Sequence, residues 1–184
     1  KLIIMTFLSG KKRKSVLERI LSIVIALIIT IPVFASSIDK GFIKLEKKKF
    51  KIVFSGQEPG ALKIALEAFK KDFSNVMGSV PEIVEQIDQD NSTPEIVIVN
   101  RASGAMKVPL NKNKKLDGFE SHRVYADPKS NKIFLEGYDL RGTIYAIYTF
   151  SENILVVPPL HYWSSWVPVN TDAIFVANDY DIFF

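Results

Sequence analysis

The chain has 184 residues, 47% of them hydrophobic, enough for one domain of ordinary size with a packed core plus a leader. Its formal net charge is +4, but residues 1–35 contribute +5 (Lys1, Lys11, Lys12, Arg13, Lys14 and Arg19 against Glu18). The rest therefore carries −1, and no basic surface for nucleic acid is indicated. There is no cysteine, which excludes disulfides, thiolate metal sites and thiol catalysis.

In chain order, Lys11-Lys12-Arg13-Lys14 followed by the apolar run Ile20–Phe34 reads as a secretory signal peptide, cleaved after Ala35 or Ser37. The alternative is an uncleaved membrane anchor, since the run is close to spanning length. The protein is accordingly expected to be exported, touching membrane only through this leader. Residues 36–49 are polar and lysine-rich and read as a linker. Phe50–Phe54 predicts a strand with Phe50, Ile52 and Phe54 on one face. Leu62, Ala65, Leu66, Phe69, Phe73 and Val76 recur at spacings of three and four, which predicts a helix over 61–76 ended by Gly78. Glu82–Ile87 is a weaker, edge-strand candidate. Glu95–Asn100, with four consecutive β-branched residues, reads as a central strand covered on both faces.

After a lysine- and asparagine-rich loop over 107–115, His122–Ala126 and Lys132–Glu136 flank the turn-favouring Asp127-Pro128-Lys129-Ser130-Asn131 and predict a hairpin. A second helix is expected over 140–155. Asp139 is placed to cap it, and Gly142 to allow a close backbone approach. Its apolar stripe is read as Ile144, Ile147 or Tyr148, Ser151 and Leu155, widened by Tyr145 and Phe150. Arg141 reads as pairing with an acidic group, including one on another domain, or as solvated. Pro158-Pro159 forces an extended exit, and His161, Tyr162, Trp163 and Trp166 then cluster. Such aromatics either stack on sugar rings or cement an interface between domains. The sum is an α+β fold of two layers: a mixed sheet of about five strands with two helices mainly on one face, preceded by the leader helix.

The run from Glu136 to Val169 resembles the end of the N-terminal domain of glycoside hydrolase family 115, the xylan α-1,2-glucuronidases. The matching positions are Gly137, Asp139, Arg141, Gly142, Thr143, Ile144, Tyr145, Tyr148, Ser151 and Glu152, then Pro159, Tyr162, Trp163, Val167 and Pro168. The chain departs from that pattern with Val156-Val157 where an Ile-Gly-Val type of helix exit is usual, and with Ser164-Ser165 inside the aromatic stretch. The resemblance implies a parent enzyme that removes α-1,2-linked (4-O-methyl)glucuronic acid from xylan with inversion, using an acid and a base set apart to admit a water. It also implies that those groups lie in a barrel following this domain, which needs on the order of 200 or more residues. No catalytic residue is therefore expected here, and the missing barrel is the expected partner. On this reading residues 50–169 are the accessory domain, and 170–184 begin the connection to the catalytic domain.

The remaining constellations are weak. His122 and His161 have no ligands at metal spacing, so no metal and no cofactor are expected. Glu82, Glu85, Asp88 and Asp90 read as a solvated face, and no Gly-x-Ser-x-Gly elbow is present. Asn91-Ser92-Thr93 is a glycosylation sequon. Two other functions compete with the hydrolase domain. One is a stand-alone carbohydrate-binding module with Tyr162, Trp163 and Trp166 as its platform; the other is a membrane-anchored structural protein.

Overall fold

The computed structural model describes residues 41–108 and 116–184, and for Tyr162 the backbone alone. The leader of residues 1–35, the first part of the 36–49 segment and most of the 107–115 loop lie outside the described residues. Within the unit Lys40–Phe184 the order is β1 (Phe42–Glu46), β2 (Lys51–Val53), α1 (Gly60–Met77), β3 (Glu82–Val84), β4 (Glu95–Asn100), β5 (His122–Asp127), β6 (Lys132–Gly137) and α2 (Leu140–Asn153). A 3-10 turn (His161–Trp163), β7 (Ala173–Ala177) and β8 (Asp181–Phe183) complete it.

The fold is α+β. Six strands form a mixed sheet in the order β3-β2-β4-β6-β5-β8, in which β2, β3, β4 and β6 are parallel and β5 opposes both β6 and β8. Both helices lie against one face. Ile52, Ile96, Ile98, Val124, Ile133 and Leu135 of the sheet share a core with Leu62, Phe69 and Phe73 of α1 and with Ala146, Ile147 and Phe150 of α2. Alternate residues of the same strands, Val53, Val97, Val99, Tyr125 and Phe134, face the other way, under Val84, Ile87, Met106 and Val108. That is why β4 is buried along its whole length. β3 lies at the sheet edge, and β5 and β6 form the expected hairpin, with Asp127 opposite Lys132.

The apolar positions read for α1 are all buried, and Gly78 ends the helix at φ 64°, its N–H donating to Ser74 O at 2.9 Å. In α2 the buried residues are Gly142, Thr143, Ala146, Ile147, Phe150 and Ser151; of the stripe read for this helix, Ile147, Phe150, Ser151 and Leu155 are buried. Tyr148 is exposed and Ile144 half-buried. The close seat of Gly142 against the preceding loop sets the helix rotation and turns residues 143, 146 and 150 inward.

Two segments differ from expectation. Within 36–49, Phe42–Glu46 forms β1, which pairs antiparallel with β7 so that Phe42 lies opposite Ala177. Its alternation puts Ile43 and Leu45 into the main core with Ile174 and Val176. Residues 170–184 do not lead away from the domain. They supply β7 and the edge strand β8, so that among the described residues the mixed sheet has six strands, close to the five expected, and β1 and β7 form a separate two-stranded sheet. Asp181 of β8 is held by Arg123 of β5, with Nε donating at 2.7 Å and Nη2 at 2.9 Å. No helix among the described residues is long and apolar enough to cross a membrane.

Candidate functional site

The residues singled out by the sequence gather where β6 leads into α2. Asp139 is in extended conformation, and its Oδ1 accepts from Gly142 N–H at 2.8 Å, as expected of a helix cap. Its Oδ2 accepts from Glu120 N–H at 2.9 Å, so the same carboxylate also ties the loop before β5 to the helix start. Burial opposes ionisation of Asp139. The amides of Gly142 and Glu120 and the charge of Arg141 outweigh it and hold the carboxyl below the usual range. A Cβ on Gly142 would collide with the carbonyl of Ser121, and one on Gly137 with the amide of Thr143. Both glycines therefore serve backbone approach: Gly137 lets the first turn of α2 close over the end of β6, and Gly142 lets the 118–121 loop close over that turn.

Arg141 finds its acid within the same domain. Its Nη1 lies 2.6 Å from a carboxylate oxygen of Glu120, and Nη2 donates to the Tyr145 hydroxyl at 3.0 Å. Beside this pair His122 packs flat on Phe184 (4.8 Å, 16°), and its Nε2 lies 2.9 Å from Thr149 Oγ1. Burial pushes the His122 imidazole below its usual pKa.

The carboxyl ends of parallel strands are where open α/β sheets commonly hold ligands, and here that edge carries polar residues the sequence did not single out. Glu58 is buried and accepts from Asn100 Nδ2 at 3.0 Å and from Ser103 Oγ at 2.7 Å. Glu136 accepts from Arg101 Nε and lies opposite Arg123 in the β5–β6 register. Arg123 also stacks over Tyr125 at 4.0 Å. Glu58 and one oxygen of Glu136 are held as acceptors by neighbouring donors, while Glu136 Oε2 is buried with no donor among the described residues; with Arg123 and Asp181 they brace the ends of β4, β6, β5 and β8. The signal was present in the sequence, since Glu136 and Arg123 are charges inside strands that otherwise read as buried. Glu82, Glu85 and Asp90 are exposed and Asp88 half-buried. Among the described residues no group of three or more His, Asp or Glu could hold a metal ion.

The aromatic exit does not gather into one environment. The 3-10 turn contains His161, Tyr162 and Trp163. Trp163 is 87% exposed, whereas Trp166 packs against the main core and stands edge-on to His161 at 5.5 Å. At the helix exit Val156 has φ 56°, a left-handed conformation that a β-branched residue rarely adopts, and its side chain is largely exposed. This is one of the two valines standing where the resembling pattern carries Ile-Gly-Val. Val156→Gly is therefore expected to raise stability by about 1 kcal/mol, read as a higher urea midpoint; an unchanged or lower midpoint would contradict the strain.

No protein-family model and no curated protein matches the chain. Among solved structures, it is similar to a family GH115 4-O-methyl-α-glucuronidase with specificity for decorated arabinogalactans. The identity is 18% and the TM-score 0.62, over 76% of this chain and 18% of that one. The likeness is one of fold. A second similarity, to a GH138 enzyme targeting pectin rhamnogalacturonan II, has 17% identity and a TM-score of 0.35, over 60% of this chain and 15% of that one. The chain thus spans less than a fifth of the length of either structure.

Proposed function

We propose that this is the non-catalytic N-terminal domain of an exported glycoside hydrolase that cleaves glucuronosyl or 4-O-methylglucuronosyl branches from plant polysaccharide. Xylan is the substrate implied by the Glu136–Val169 resemblance. The observation that carries the reading is the fold likeness to a 4-O-methyl-α-glucuronidase over 76% of the chain. The geometry of Gly137, Asp139 and Gly142 supports it, because each of these motif residues does a defined job at the β6–α2 junction. Export rests on the basic and apolar start of the chain. The domain contributes scaffold to the parent enzyme, whose acid and base reside in a separate catalytic domain, and the exposed Trp163 face and neighbouring aromatic exit meet that domain or the polysaccharide.

The direct test is to incubate the 184-residue chain with glucuronoxylan and, separately, with glucuronosylated arabinogalactan, and to assay free uronic acid. No release above the buffer blank is expected. Release in proportion to protein concentration would overturn the non-catalytic assignment.

A further inference from the structure

β1 and β7 form an antiparallel ribbon apart from the main sheet, and strand alternation divides its side chains between two faces. Ile43, Leu45, Ile174 and Val176 turn into the core, while Phe42, Lys44, Glu46, Ala173, Phe175 and Ala177 face outward. Two phenylalanines on that outer face stand in solvent, Phe42 58% and Phe175 57% exposed. Their rings meet edge to face, with centroids 6.2 Å apart at 86°, and Lys44 Nζ lies 5.9 Å from the centre of the Phe175 ring. The aromatic pair continues into a basic end. Lys44, Lys48, Lys49 and Lys51 line one opening against Glu46 and Glu82, and Asp90, which accepts from Ser92 N–H, borders its rim. Glu46 is shared by Lys49 at 3.1 Å and Lys44 at 3.6 Å. Lys47 and Asp172, joined through their backbones at 2.8 Å, offset each other, and Asp179 lies in the turn after β7 beyond Phe42. The positive surplus therefore belongs to the lysine end.

We propose that this face rests on the surface of an anionic phospholipid bilayer, with Phe42 and Phe175 entering the boundary between headgroups and acyl chains and Lys44, Lys48 and Lys49 meeting the lipid phosphates. A phenylalanine has no polar tip, so its ring gains only where hydrocarbon takes the place of water. Lysines bordering such rings lay their stems along apolar surface and keep the ammonium at the phosphates. Rings at 86° present a wedge rather than the flat platform a sugar ring stacks on. A second copy of the chain would find six outward residues on this face, where a stable interface takes about 20–30 a side. β1 also follows the basic and apolar leader with only residues 35–41 between Phe34 and Phe42, a reach of at most about 25 Å, so a leader seated in a bilayer keeps this face close to it. The inference stands apart from the hydrolase reading, because it uses only the β1–β7 face, and it adds a membrane contact beside the leader.

An apolar leader holds a chain on a bilayer by itself, so the test reads which amides meet lipid. The full chain is mixed with nanodiscs of phosphatidylcholine containing about a third phosphatidylglycerol and a trace of lipid with a gadolinium-chelating headgroup, and the broadening of backbone amides is followed by NMR. Residues 42–48 and 173–177 are expected to broaden most, with contact falling as salt is raised and weaker by about tenfold on discs of phosphatidylcholine alone. Phe42→Ser with Phe175→Ser is expected to lower lipid contact at residues 173–177 by about tenfold, and Lys48→Gln with Lys49→Gln by about fivefold per lysine. All four side chains are exposed, so neither pair should move the urea midpoint. Broadening centred elsewhere, equal contact on uncharged discs, or unchanged broadening in the F42S/F175S chain would each overturn the proposal. Shifts at these amides caused by soluble polygalacturonate and not by the discs would give the face to an acidic polysaccharide instead, and shifts that grow with protein concentration in the absence of lipid would give it to a second copy. Should F42S/F175S fail to fold, the K48Q/K49Q chain and the contrast between the two lipid compositions decide it.

Discussion

Gly137→Ala is expected to destabilise the domain by about 3 kcal/mol, a fall in Tm of roughly 10 °C for a domain of this size. A methyl group there runs into the amide and hydroxyl of Thr143 and the carbonyl carbon of Gly142. None of these can swing aside. The Thr143 hydroxyl donates to Asp139 O at 2.8 Å, and the first turn is pinned by the Asp139 carboxylate to both Gly142 and Glu120. On its other side Gly137 is paired within the sheet to Asn100 and His122, and its carbonyl accepts from Arg101 N–H at 3.0 Å. Gly60→Ala is the natural control. A Cβ there meets nothing within 4 Å, so that variant should hold or gain stability, up to about 1 kcal/mol. Urea unfolding monitored by circular dichroism reads both, and equal midpoints for G137A and the parent would contradict the close approach.

Phe150→Ala is expected to cost about 3–5 kcal/mol. Phe150 is fully buried where both helices meet the sheet, its ring perpendicular to Phe69 at 5.5 Å and tilted against Phe73 at 6.1 Å. Phe73 in turn meets Phe50 at 5.1 Å, so the cluster joins the residue leading into β2 with α1 and α2. Truncation removes one member of each of two aromatic pairs and leaves a void that a sheet and two capped helices cannot readily close. Domains of this kind hold about 5–15 kcal/mol in total, so F150A should show a markedly lower urea midpoint and partial unfolding at physiological temperature. A shift worth less than about 1 kcal/mol would mean that the helix layer repacks freely and that this cluster is not the centre of the core.

The elements that were legible in the sequence are those whose signal is local. The stripe of α1, the all-apolar β4 and the Asp127–Asn131 turn each lie within a few residues of chain, and each is found where it was expected. β1 was not legible. The alternation of Phe42, Ile43, Lys44, Leu45 and Glu46 stands in a lysine-rich setting, and the strand that completes it, Ala173–Ala177, is at the other end of the chain. Edge strand β8 depends in the same way on a remote pair, Asp181 with Arg123. At the candidate site, Asp139 and Gly142 could be read because capping and close approach need particular residue types at particular places. The pairing of Asp72 with Ser151 could not, because each is a polar residue set into an apolar stripe and the partner appears only when the two helices meet. A hint did exist: Asp72 falls three residues after Phe69 and four before Val76, where the period calls for an apolar side chain.

The central claim is that this fold serves a glucuronic-acid-releasing hydrolase without performing the chemistry itself. It is tested most directly by expressing the polypeptide encoded by the reading frame continued past Phe184 and assaying 4-O-methylglucuronic acid release from glucuronoxylan beside the 184-residue chain. The account predicts release by the extended polypeptide and none by the chain alone. A frame that closes after Phe184, or an extended polypeptide that folds and releases no uronic acid from glucuronoxylan or glucuronosylated arabinogalactan, would contradict it.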